Sequence, residues 1–318
     1  MILKYIVNKN DNGKTINEII LQKFDLSNRL FSKLLRDKKI FVNNSNIDTR
    51  LKVNKNDIIT INLNYDEDNS NIISKQMNLD IVFEDEGMLI INKPSGIAIH
   101  PSIKHYEDSI ASGVKYYFES IGVYKKIRPV NRLDLNTSGL VIFAKNEYIQ
   151  ESLIKQMQKR TFSKEYLAIV TGVLEKKTGV IDKPIARKAG SIIERCVSET
   201  GQRAITEYEV IREASNNSKI TSEAGNNYNT KCEVEKYSLV KCKLITGRTH
   251  QIRVHFAYIG HPLLGDSLYG KASHLTEGQA LHCYKLKFFH PINQRSLSFT
   301  SAMDKELLKK CGLIDVWI

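Results

Sequence analysis

Asn131-Arg132-Leu133-Asp134-Leu135-Asn136-Thr137-Ser138-Gly139, followed by Leu140-Val141-Ile142-Phe143-Ala144, sets a polar, turn-forming stretch directly before an unbroken apolar run. Five successive apolar residues predict a buried strand, and Asn146 beyond it is suited to cap a following helix. The carboxylate of Asp134 is thereby expected at the edge of a core. Taken alone, the stretch has a plain structural use, because Asp134, Thr137 and Ser138 are residues that accept backbone hydrogen bonds in turns. Spacing by itself favours that use.

Working outward, residues 81–84 and 88–92 read as a hairpin about Asp85-Glu86-Gly87, and further strands are predicted at 165–170, 204–211, 238–244 and 281–289. Strands outnumber helices and follow one another in a meander. The expected class is therefore α+β, a mixed and mainly antiparallel sheet domain over 78–318, rather than a doubly wound nucleotide-binding fold. No Gly-rich phosphate loop is present. Residues 213–230, rich in Asn, Ser and Gly, read as an exposed insertion, either a plain loop or a contributor to substrate choice.

Toward the N-terminus the period changes. Ile16, Ile19, Ile20 and Phe24, then Leu30, Phe31, Leu34 and Leu35, recur at helical spacing and predict two short helices near 15–24 and 27–37. Ser27 is a suitable N-cap, and Lys38-Lys39 lies where cations favour a helix C-terminus. Strands at 40–42 and 57–63 complete a small α+β unit over 1–64, with Asn43-Asn44 as a turn. Residues 65–77 are polar, lack sustained periodicity and read as the connection to the larger domain.

The chain has 318 residues, with 47 Lys and Arg against 35 Asp and Glu, a formal net charge of +12. Its pI near 9.3 implies attraction to polyanions, although a generally basic, soluble surface would give the same figure. The first residues lack the pattern of a secretion signal, and no apolar run approaches the ~18 residues needed to span a bilayer, so a soluble, cytoplasmic protein is expected. Five dispersed cysteines without a C-x-x-C pair point to neither a disulfide framework nor a zinc site.

Three other segments stand in order around the Asp134 stretch: Ile91-Asn92-Lys93-Pro94-Ser95-Gly96, Ser163-Lys164-Glu165-Tyr166-Leu167-Ala168 and Gly247-Arg248-Thr249-His250-Gln251-Ile252-Arg253-Val254-His255. Together the four closely resemble the RluA family of pseudouridine synthases, over about residues 80–300. The N-terminal unit, with Ser27, Leu35, Ile40-Phe41-Val42-Asn43 and Asp57-Ile58-Ile59, resembles the S4 RNA-binding domain. Two departures are visible. Asn131 stands where the family's central motif usually begins with His, and the usual Ser-Arg pair is Ser27-Asn28, with Arg29 one place later.

The resemblance implies an isomerase that detaches uracil from its ribose at N1, turns it and rejoins it through C5, with no redox change and no energy cofactor. It implies that Asp134 is the catalytic residue, that Arg253 balances and orients its charge, and that Tyr166 stacks on the target base. Arg132 is implied in exposing the uridine. A helix over 249–259, ended by Gly260, would place Arg253 beside its apolar stripe of Ile252, Phe256 and Ile259. The plainer alternatives are a core tyrosine at 166, a surface arginine at 253 and an ion pair between Arg132 and Asp134. Lys93, Lys164 and Arg248 are candidate substrate contacts, with Arg128 and Lys271 less specific phosphate contacts. Arg29, Lys33, Arg36, Lys38 and Lys39 are candidate RNA contacts of the S4-like unit, or else solvate a helix face. Leu263-Leu264-Gly265-Asp266 and Tyr269-Gly270 also fit the family pattern, in a supporting role. His250, His255 and His261 lack metal-ligand spacing and are expected in structural hydrogen bonds.

The expected partner is RNA, large-subunit ribosomal RNA first and transfer RNA as the alternative, acted on by a monomer. A non-catalytic RNA-binding ribosome-assembly protein is the second functional reading. A hydrolase lacks the metal ligands or paired histidines that its chemistry would need.

Overall fold

A computed structural model describes residues 1–46, 51–102, 106–224 and 227–313, with backbone alone over 216–234. The N-terminal unit contains β1 (Ile2–Ile6), α1 (Ile16–Lys23), α2 (Asn28–Arg36), β2 (Ile40–Val42), β3 (Ser45–Asn46) and β4 (Ile58–Asn62). Its sheet has the order β1-β4-β2-β3 and closes over its own core of Ile16, Ile20, Leu30, Leu34, Ile59 and Ile61. Both helices are capped as their sequences dictate. Thr15 and Glu18 form a reciprocal capping box, and Leu30 N donates to Ser27 Oγ at 3.1 Å.

The larger part begins with β5 (Ile81–Glu84), β6 (Met88–Lys93), α3 (Ile110–Ser120), β7 (Arg128–Pro129), β8 (Ser138–Ala144), α4 (Glu147–Gln158) and β9 (Ser163–Thr171). It continues through β10 (Thr178–Asp182), β11 (Ile185–Arg187), β12 (Arg195–Val197), β13 (Ile205–Ala224) and β14 (Asn227–Leu244). The chain then forms α5 (Gln251–Tyr258), β15 (Leu281–Phe289), β16 (Ser296–Thr300) and α6 (Lys305–Lys310). Its main sheet has the order β10-β13-β14-β9-β15-β8-β6-β5, with β16 on β15 and β7 on β8, while β11 and β12 form a separate hairpin. Among the described strands the pairing is antiparallel except between β8 and β15. The fold is the mixed, mainly antiparallel α+β architecture expected.

The parallel contact matters because it lies where the Asp134 loop enters the sheet. Gly139 pairs with Cys283 at a φ of 109°, and a Cβ there would stand 2.3 Å from Cys283 O. Only glycine permits both the backbone conformation and the approach. Along β9 the alternation divides two cores: Tyr166, Ala168 and Val170 join the main one, while Leu167 and Ile169 pack with Tyr237, Leu239, Leu307 and Leu313.

Residues 63–80 carry no regular element, as expected of a connection, yet they are tied down. Lys115 Nζ donates to Asn69 O at 3.0 Å and Ile72 O at 2.6 Å, and Met77 lies over Gly113, where a Cβ would stand 2.9 Å from its own. The N-terminal unit docks on α4: Ser27 Oγ donates to Glu151 at 2.8 Å and Lys33 pairs with Glu147 at 2.8 Å.

The reading of 213–230 as a loop is corrected. The described backbone continues the β13–β14 ladder from Arg212 opposite Leu239 to Ala224 opposite Asn227. A two-stranded ribbon is held by its own backbone hydrogen bonds and requires no apolar alternation, which is why composition suggested a loop. Strand β1 and helix α3 also escape a periodicity reading. Ile2 and Ile6 occupy the exposed face of β1, and α3 mixes Gly113 with aromatic and β-branched residues.

Candidate active site

The Asp134 loop is braced from below by the segment that follows β6. Lys93, with 0% exposure, donates to Pro94 O, Ile97 O and Leu135 O at 2.7, 2.8 and 2.9 Å. Gly96 N donates to Leu135 O, and Ser95 Oγ to Asn136 O. Burial pushes the Lys93 ammonium down to about 8, against the opposing pull of Asp134. This corrects the expectation for Lys93. It holds the loop that carries the carboxylate and is too deep to reach a substrate phosphate.

Asn131, at the family's histidine position, is buried and bridges the loop to β8. Its Nδ2 donates to Leu140 O at 3.0 Å, and its Oδ1 accepts from Ile142 N at 2.9 Å. A neutral amide supplies both a donor and an acceptor in one plane, so the substitution keeps the loop anchored.

Asp134 opens into a cavity of about 560 Å³ whose wall includes Arg132, Lys164, Tyr166, Arg248, His250 and Arg253. The Asp134 side chain is 30% exposed. Arg253 reaches it with Nη1 at 3.3 Å. The other side of the guanidinium is held by Asp266: Nε to Oδ2 at 2.7 Å and Nη2 to Oδ1 at 2.8 Å. Tyr269 lies against its face, with the ring centroid 5.1 Å away. Arg253 is 7% exposed and Asp266 0%. Burial disfavours the charged guanidinium, and the two carboxylates outweigh it, so its pKa is raised. The surface-arginine alternative is excluded by these contacts.

His250 takes a left-handed conformation, φ 56°, immediately before α5. Its Nδ1 is 2.8 Å from Tyr269 Oη, which also accepts from Arg195 N at 2.8 Å. The other ring nitrogen, Nε2, faces Asp134, 3.8 Å away. Burial lowers the His250 pKa against the pull of Asp134, so the ring is neutral near neutrality.

Tyr166 is 5% exposed, at once part of the main core and of the cavity wall. Burial, then the neighbouring Cys283 thiol, raise its pKa well above 10, and the phenol stays protonated throughout the physiological range. Burial likewise lowers the Lys164 pKa. Arg132 is exposed at the cavity and, among the described residues, makes no ion pair, so the Arg132–Asp134 alternative is not what forms. Arg248 donates through Nε to Arg203 O at 3.1 Å. Arg128, by contrast, is buried against Glu67 at 2.6 Å and stands outside the cavity.

Gln251 fixes the turn before α5 by donating to Ile205 O and Thr206 Oγ1 while accepting from Thr246 Oγ1 and Arg248 N. His255 bonds Thr206 and Lys183 O, and His261 bonds Thr171 O. The candidate RNA contacts of the first unit divide. Arg29, Arg36 and Lys38 are exposed, whereas Lys33 and Lys39 lie over the Tyr65 ring at 5.3 and 5.4 Å. Lys33 is further committed to Glu147, so its assignment moves from RNA to the junction between the units.

Asp266 and Tyr269 are the site residues that sequence reading left in a supporting role. One signal was available: a buried guanidinium has five donors, and Asp134 alone cannot satisfy them.

The sequence pattern of the family described as RNA pseudouridylate synthase matches residues 87–258. The chain is 36% identical over 309 residues to the uncharacterized RNA pseudouridine synthase YhcT of Bacillus subtilis, covering 97% of this chain and 96% of the relative. It is 31% identical to the ribosomal large subunit pseudouridine synthase D of Vibrio cholerae, over 93% of this chain and 90% of that one. Among solved structures, the human RNA pseudouridylate synthase domain containing 1 shares the fold, with a TM-score of 0.56 and 24% identity over 74% of this chain and 87% of that one. The residues that brace, charge and line the cavity at Asp134 fall within or next to the matched span, and the chain belongs to the RluA family of RNA pseudouridine synthases, isomerases that act on RNA.

Proposed function

We propose that the enzyme isomerises uridine in large-subunit ribosomal RNA, with Asp134 as the residue that acts on the ribose. The observation that carries the assignment of Asp134 is its setting, a partly exposed carboxylate beside a buried arginine in a cavity walled by a buried tyrosine. The name of the Vibrio cholerae relative supports the ribosomal target.

Two routes use the same residue. In one, a carboxylate oxygen of Asp134 attacks C1′, the N1–C1′ bond breaks and its electron pair stays on uracil. After the base turns, C5 attacks C1′, Asp134 is released, and the C5 proton is lost while N1 gains one. In the other, Asp134 takes the 2′ proton, uracil leaves with the N1–C1′ electron pair to give a glycal, the proton returns to C2′ as C5 joins C1′, and the C5 proton is again lost while N1 gains one. Both need the charged carboxylate against the sugar, and Arg253 balances that charge in the state before attack.

Tyr166 stacks on uracil while it turns, a contact of roughly 1 to 3 kcal/mol. Its protonated phenol is a donor to the detached base. Arg132, exposed at the cavity, fills the place that the extruded uridine vacates, since unstacking costs a few kcal/mol. Lys164 and Arg248 are the remaining contacts for substrate. The N-terminal unit adds RNA affinity through Arg29, Arg36 and Lys38.

Purified enzyme is expected to release tritium from large-subunit ribosomal RNA labelled at uracil C5, and Asp134→Asn to abolish release while leaving RNA binding within about threefold, a change under ~0.7 kcal/mol. Release from transfer RNA alone would move the target. An active Asp134→Asn enzyme would remove Asp134 from the chemistry.

A further inference from the structure

Beside the reaction cavity lies a second one of about 340 Å³, and the two share the wall Gly247, Arg248 and Thr249. The far side of the second cavity is built by the β11–β12 hairpin and the turn after it, with Arg187, Arg195, Thr200 and Gly201. No carboxylate lines it. Among the described residues, none of Arg187, Arg195 and Arg248 makes an ion pair. Two of the guanidinium groups are oriented by backbone carbonyls instead: Arg195 Nη1 donates to Ile193 O and Glu194 O at 3.1 and 3.0 Å, and Arg248 Nε to Arg203 O at 3.1 Å. Carbonyls fix direction without neutralising charge, so donors on each group remain free for an anion.

The walls are rigid as well. Ile185 and Gln202 exchange two hydrogen bonds of 2.9 Å, and a Cβ on Gly201 would stand 2.5 Å from the backbone of Ile185. Arg195 also belongs to the reaction site through its backbone, since its N–H is the donor held by Tyr269, the partner of His250. A ligand pulling on Arg195 therefore acts on a strand bonded to the residues around Asp134.

We infer that this second cavity is a phosphate subsite, which seats the phosphodiester next to the target uridine and so registers the strand against Asp134. The ligand chemistry is a tetrahedral oxyanion, and planar guanidinium groups free of carboxylates are the side chains suited to it. A free phosphate ligand shares that chemistry and is separated by the test. The inference rests on RNA as the substrate class and is independent of which RNA is modified.

The test compares the wild type with Arg187→Gln/Arg195→Gln, using large-subunit ribosomal RNA and bulk transfer RNA in filter binding across a salt series. Tritium release and phosphate-ethylation interference are followed on the RNA that is modified. The double variant is expected to bind about tenfold more weakly. The loss should fall on KM more than on kcat, and the slope of log K against log salt should drop by about 1 to 2. Ethylation of a linkage flanking the modified uridine should impair wild-type binding and not the variant's. Unchanged affinity and salt slope would overturn the subsite. Pyrophosphate binding that the double variant loses, with RNA binding unaltered, would overturn the strand phosphate and leave a free-phosphate site. Because the binding arm needs no turnover, absence of tritium release would count against the proposed target alone.

Discussion

Arg253 stands between two carboxylates that do different work. Asp134 faces the cavity and Asp266 is sealed behind it, so one guanidinium transmits a fixed position from the protein interior to the carboxylate at the cavity. Removing Asp266 leaves a buried positive charge short of a partner, and breaking a buried pair from one side costs about 3 to 5 kcal/mol. Asp266→Asn keeps the shape and one acceptor. It is expected to lower kcat by about ten- to a hundredfold, the range known for loss of the outer partner of a metal-ligating side chain, while RNA affinity stays near wild type. Stopped turnover and equilibrium binding measured on the same preparation check this. Equal losses in binding and turnover would show that Asp266 serves the fold alone. The sequence placed Asp266 in a supporting segment, but nothing in Gly265-Asp266 says which arginine it meets.

At the scale of elements, the junction between the two units is polar and built around the 65–77 segment. Glu67 pairs with Arg128 at 2.6 Å, Lys33 reaches Glu67 at 3.6 Å and Glu147 at 2.8 Å, and Lys33, Lys39 and Lys125 surround the Tyr65 ring. Burial alone would raise the Glu67 pKa, and Arg128 outweighs it, so the carboxyl lies below its ordinary value. A lowered folded value means stability that is present above the unfolded carboxyl value, about pH 4, and lost as pH falls through the folded one. Glu67→Gln is expected to lower Tm by a few degrees at pH 7, about 2 to 4 °C for each kcal/mol in a chain of this class. The gap to wild type should close below about pH 4. Thermal unfolding across a pH series measures it, and a gap independent of pH would place the loss in packing. The lack of period along 65–77 says nothing of these contacts, because they join it to residues distant along the chain.

For the whole molecule, charge is distributed by role. Lys93, Arg128 and Lys33 are spent inside, on the loop brace and the junction, and Arg29, Arg36 and Lys38 remain outside. Deleting residues 1–64 would strip α4 of its cover and uncover Tyr148, which packs against both cores. Neutralising the exposed charges is the cleaner probe. Arg29→Gln/Arg36→Gln/Lys38→Gln is expected to weaken RNA binding about tenfold near physiological salt and to flatten its salt dependence, with a smaller effect on the rate at saturating RNA. Affinity unchanged in such a titration would leave the first unit without an RNA role.

By itself the sequence determined the reaction class, the mixed antiparallel fold, most strands of the main sheet and the motif in which Asp134 lies. Each of these is written locally, in alternation, caps and contiguous motifs. Tertiary structure decided which cations face the cavity and which are buried, that Asp266 and Tyr269 hold Arg253, that Asn131 anchors the loop, and that a second arginine-lined cavity adjoins the first. Those facts join residues far apart along the chain, and a side chain's exposure and partners follow from what folds against it.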